Sequence, residues 1–124
     1  MQTEILDRSP KAELRVFAVW FSVLPGDARE RWLPAILADP RVVNYWDASG
    51  DVGRWFSRHV TRRPDADFEW DAYFLYPREA RWEAVPAPLA SWGTTVLASR
   101  DELGARALPL LGAPASAPAG PRRD

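Results

Sequence analysis

The stretch from Leu14 to Val23, LRVFAVWFSV, constrains the fold more than any other part of the chain. It is β-branched and aromatic, almost continuously apolar, and closed by Pro25-Gly26. Such a run reads as a strand covered on both faces, the usual state of a central or parallel strand.

The other elements follow from periodicity and punctuation. Residues 1 to 8 read as a short helical stretch with Ile5 and Leu6 on one side, ended by Ser9-Pro10. Asp27 is placed to cap a helix, with Glu30 three residues on, and Trp32, Leu33, Ile36 and Leu37 supply its apolar face until Asp39-Pro40 stops it. The segment 41–46 is ambiguous between strand and helix. Asp47 to Gly50 reads as a turn, and Val52, Trp55, Phe56 and Val60 predict a helix by their spacing. A polar loop over 62–67 leads to a second strand, Phe68 to Tyr76. A third strand covers Ser91 to Leu97. Ser99 then caps a final helix with Glu102 behind it and Leu103, Leu108 and Leu110 as its face. The order is α-β-α-(α)-β-β-α, with one long crossover.

The chain has 124 residues, enough for one domain with an ordinary core. The run 112–124 is rich in Pro, Ala and Gly without a bulky apolar residue, so it is expected to be a disordered tail after a domain spanning 1–111. Net charge is −1, so no global field favours nucleic acid or an anionic membrane, and neither is expected as a partner. No apolar run approaches a membrane span, and no signal segment is visible, so a soluble cytoplasmic protein is expected.

Chemistry is narrowed by what the composition lacks. With no cysteine there is no disulfide, thiolate nucleophile, Cys-ligated metal or dithiol couple. One histidine, His59, rules out a multi-histidine metal site and reads as a surface residue at a helix end. The alternating Asp65, Asp67, Glu69 and Asp71 fall on one face of an extended segment, where mutual repulsion could raise a pKa or a hard cation could bind; a solvated loop explains them more simply. The pair Arg62-Arg63 is too short to count as a basic patch. No serine sits in a nucleophile elbow, and Gly50-Asp-Val-Gly53 has the wrong flanks for a phosphate loop. No catalytic residue, cofactor or metal is therefore expected.

Seven tryptophans are far above ordinary usage for this length. Core and groove packing is preferred to an aromatic cage or carbohydrate platform. Trp46 and Trp70, each beside an aspartate near a loop, are the most exposed by expectation, so Trp46, Asp47, Trp70 and Asp71 form the candidate binding surface.

The segments Val19-Trp20-Phe21, Pro25-Gly26-Asp27-Ala28-Arg29, Asp39-Pro40-Arg41-Val42, Tyr45-Trp46-Asp47, Val52-Gly53-Arg54-Trp55-Phe56, Trp70-Asp71-Ala72-Tyr73, Arg81-Trp82 and Ser91-Trp92-Gly93, in that order, resemble a tryptophan-rich group of thioredoxin-like proteins from bacteria. The resemblance covers roughly residues 1 to 111. It implies an α/β thioredoxin-like sandwich, incomplete, with a mixed sheet of about three strands and flanking helices. It also implies a missing strand, since in such proteins a Cys-x-x-Cys strand precedes the helix that residues 1–8 continue. No cis-proline stands in Phe68 to Asp71 either, so no catalytic residue carries over. A start codon placed too late, or truncation, is favoured over a degenerate paralogue.

The expected function is thus a redox-inactive domain acting by protein binding; the alternative is a fragment of a thiol–disulfide oxidoreductase or peroxide-handling enzyme. The missing strand would lie between Leu14–Val23 and Ala72–Tyr76. Without it these either close on each other as an antiparallel pair, or a second chain fills the opening, giving self-association or a protein partner.

Overall fold

A computed structural model describes residues 1–31, 34–63, 65 and 67–112, with only the backbone of Pro34 and Ala35. The chain is a mixed α/β structure. A π-helical turn, Gln2–Leu6, opens it and buries Ile5 and Leu6. Strand β1 is Val16–Trp20 and β2 is Val42–Trp46. Helix α1, Asp51–Phe56, continues as a wider turn over Ser57–Thr61. Strands β3 (Ala72–Leu75), β4 (Arg81–Trp82), β5 (Pro86–Ala87) and β6 (Ser91–Thr94) follow, and α2 is Arg100–Gly112.

The strands pair off rather than forming one mixed sheet of about three. β1 lies parallel to β2, with Val16 opposite Val42 and Trp20 opposite Trp46. β3 runs antiparallel to β6, and β4 to β5. β1 and β3 do not pair, so the antiparallel closure expected between Leu14–Val23 and Ala72–Tyr76 does not form. The ambiguous segment 41–46 resolves as the strand that completes β1 on one side. Trp20 Nε1 donates to Asn44 Oδ1 across this pair at 2.9 Å.

The expectation that both faces of β1 are covered is also overturned. Ile5, Leu103 and Ala107 form the buried cluster, with Leu14, Tyr73 and Leu75 packed against it. On the β1–β2 pair, Phe17, Val43 and Tyr45 stand on the opposite, exposed face, with Phe17 and Tyr45 rings stacked 6.5 Å apart. Nor are the tryptophans mainly core. Trp70, Trp82 and Trp92 are exposed, and Trp20, Trp46 and Trp55 are half-buried. Trp32 and Leu33 lie outside the described residues, as does the expected tail beyond Gly112.

The helix expected after Asp27 is only two short 3-10 turns, Arg29–Arg31 and Pro34–Leu37. Asp27 does not cap it. Its carboxylate reaches backward to the amides of Val23 and Leu24, at 3.0 and 2.7 Å, closing the loop after β1. Those two amides, Leu24 first, hold its pKa below the usual range. Ser99 likewise turns its hydroxyl to the Thr94 carbonyl, and Glu102 pairs forward with Arg106 at 2.8 Å. In α2 the buried residues are Leu103 and Ala107, while Leu108 and Leu110 of the expected face are exposed.

Arg41 ties the N-terminal turn to β2. Its guanidinium donates to the carbonyls of Ser9, Ala12 and Leu6 at 2.6, 3.3 and 2.9 Å, and grips both Asp39 oxygens at 2.9 and 2.7 Å. The Arg41 side chain holds the Asp39 carboxyl down to about 2. A carboxyl depressed on folding stabilises the fold above its ordinary value of 3.8, and that stabilisation is lost as pH falls toward about 2. Thermal melts across this window should fall more steeply for the wild type than for Asp39→Asn, which is also expected to be less stable at neutral pH.

Candidate functional site

The opening beside β1 is the most distinctive surface. Val16 donates its amide to Arg41 O at 2.9 Å, and Asp47 donates to Trp20 O at 2.8 Å, so the even-numbered residues of β1 face β2. The amides and carbonyls of Phe17 and Val19 therefore point to the other edge, where no described strand lies. At the carboxyl end of β1 and β2 a hollow of about 300 Å³ is lined by Ser22, Val23, Ser49, Gly50, Arg54 and Phe68. Parallel strands commonly place their ligands at that end. Phe21 meets Phe68 edge-to-face at 5.0 Å beside the hollow.

Local sequence explains the walls. Gly50 has φ +73, a left-handed conformation that a side chain disfavours. Asp47 stabilises the turn by accepting the Gly50 and Val52 amides at 3.0 and 2.9 Å. Burial pushes its carboxyl up, but the amides of Val52, Asp51 and Gly50 and the Ser49 hydroxyl outweigh it and leave the pKa lowered. Asp47 is thus committed to backbone, as is Asp71, whose carbonyl and Oδ1 share the Val96 amide at 3.0 and 3.2 Å.

Of the candidate surface, Trp70 is exposed and Trp46 is half-buried at the end of β2. Among the described residues no hydrogen bond or ring contact joins Trp46 and Asp47 to Trp70 and Asp71. The acidic series is divided as well. Glu69 is buried, taking Arg63 Nε at 3.1 Å, Arg63 Nη2 at 2.8 Å and the Thr61 hydroxyl, while Asp65, Asp67 and Asp71 are exposed. Among the described residues no group of three His, Asp or Glu side chains could hold a metal. His59 is exposed, its ring tilted against that of Trp55 with centroids 4.9 Å apart.

A basic cleft is the feature that sequence reasoning missed. Arg54, Ser57, Arg58, Arg62, Arg63 and Asp67 line a cleft of about 670 Å³. The signal was present in the four-residue spacing of Arg54, Arg58 and Arg62; in the structure Arg54 lies in α1, Arg58 in the wider turn and Arg62 at its left-handed cap. Arg63 is fixed at its wall by Glu69 and lies 5.6 Å over the Trp92 ring.

No helix among the described residues is long and apolar enough to cross a membrane. Comparison with protein-family models, curated proteins and solved structures finds no match to this chain.

Proposed function

We propose that this chain is a thioredoxin-like domain that acts by binding an extended polypeptide segment along the outer edge of β1. The observation that carries this reading is that edge. Phe17 and Val19 present amides and carbonyls with no described partner strand beside them. The arrangement around the opening supports it. β1 runs parallel to β2, and β3 runs antiparallel to β6, the strand directions that a segment inserted between β1 and β3 would meet in a thioredoxin-like sheet. An incoming strand would satisfy the backbone groups by β-augmentation. The exposed Phe17, Val43 and Tyr45 beside it would add apolar area.

Trp46, Asp47, Trp70 and Asp71 contribute differently to this reading. Trp70 supplies an exposed ring, whereas the two aspartates shape the loops after β2 and before β3. With no thiol, the chain has no disulfide exchange of its own.

Light scattering with thermal melting tests the proposal. The purified chain should self-associate with rising concentration or melt at low temperature, because an exposed apolar edge templates pairing. A monodisperse monomer melting cooperatively above the mesophile range would contradict it.

A further inference from the structure

We infer that the cleft over Arg54, Arg58, Arg62 and Arg63 is a binding site for a small diphosphorylated ligand, on a different surface from the strand-accepting edge, with Arg54 shared with the hollow at the end of β1. A volume of about 670 Å³ suits a small molecule. Its charge is delivered by guanidinium groups alone, since Lys11 is the chain's only lysine and does not line it. The planar fork of arginine matches two phosphoryl oxygens at once, which a lysine cannot do.

The four arginines divide into two kinds. Arg63 is held by Glu69 at 2.8 Å, and Arg54 donates to the Ser49 carbonyl and lies 3.5 Å from Asp51, so both are positioned before any ligand arrives. Arg58 and Arg62 are exposed and have no counter-ion among the described residues. These two supply the uncompensated charge. Arg54 lies in α1 and Arg58 on the wider turn that continues it, with Arg62 at the end of that turn. A single phosphoryl group cannot span the whole row, while two linked ones reach further along it. Asp67 opposes the anion from the rim, which limits affinity and predicts a gain on its removal. The net charge of −1 speaks against a long polyanion as the ligand.

Calorimetric titration of the full chain with inorganic pyrophosphate and with inorganic phosphate, at low ionic strength, tests the site. Pyrophosphate should bind one to one and about tenfold or more tighter than phosphate. Arg58→Ala and Arg62→Ala should each weaken it about tenfold. Arg58→Lys should also weaken it, because charge without the fork is not enough, and Asp67→Asn should tighten it. Arg8→Ala, away from the cleft, should change nothing. Circular dichroism confirms that each variant keeps the fold, and Arg62→Lys replaces any alanine variant that does not. Three results would overturn the inference: no saturable binding up to about 10 mM, full affinity in Arg58→Lys, or stronger binding of a single-stranded oligonucleotide than of pyrophosphate.

Discussion

Gly53→Ala is expected to destabilise the chain by about 3 kcal/mol, a large share of a marginal domain's stability. In an exposed helix the same change would be stabilising by up to about 1 kcal/mol, because alanine restricts the unfolded chain and favours the helix. Here sterics win. A Cβ at Gly53 would stand 2.5 Å from the Glu69 carbonyl oxygen and 2.5 Å from Phe68 Cε2. The first of these is backbone, fixed by the Glu69 amide bonding to the Gly53 carbonyl at 3.0 Å. Separating the two segments would disturb that bond and displace the Phe68 ring from Phe21. Chemical denaturation of the variant beside the wild type measures the loss. A variant as stable as the wild type would mean that 68–69 does not cross α1 at Gly53.

Leu6→Ala should cost about 3 kcal/mol as well, through lost burial and the cavity left behind. Leu6 is 0% exposed, in a structure whose buried hydrophobic residues, among those described, are Ile5, Leu6, Leu103 and Ala107. Its carbonyl also receives Arg41, so a shift of the turn would loosen the link to β2. Leu97 serves as the comparison. It is 75% exposed, and Leu97→Ala should stay within about 0.5 kcal/mol of the wild type. The pair separates core from surface leucine in one melting experiment, where about 3 kcal/mol corresponds to roughly 15 °C. Equal melting temperatures would show that the N-terminal turn is not docked.

Much of the element order was readable from residues 14–23, 52–60 and 91–97, because periodicity and turn residues report local structure directly. What escaped was what the elements face. A continuous apolar run such as Leu14–Val23 has the same composition whether its second face is covered or lies open, so Phe17 gave no warning of its exposure. Asp27 and Ser99 are ideal cap residues by type, yet each found a closer partner in a neighbouring loop. Burial of Glu69 depends on Arg63 and Thr61 folding over it, which alternation of charges cannot convey. The candidate surface was only half readable: Trp70 is exposed, but Trp82 is more so and Trp46 is half-buried, and Asp47 and Asp71 are taken up by backbone amides. The arginines Arg54, Arg58 and Arg62 are visible as spacing, but spacing alone does not say that they converge on one cleft with Arg63.

Residue-resolved amide hydrogen exchange of the dilute chain tests the central claim, that the outer edge of β1 is open, most directly. Ala18 and Trp20, whose amides face β2, should be protected, while Phe17 and Val19 should exchange near the unprotected rate. Raising the concentration, or adding a segment that pairs with the edge, should slow Phe17 and Val19 specifically. Equal protection of all four amides in a dilute monomer would mean that β1 is already paired on both sides, and would contradict the account.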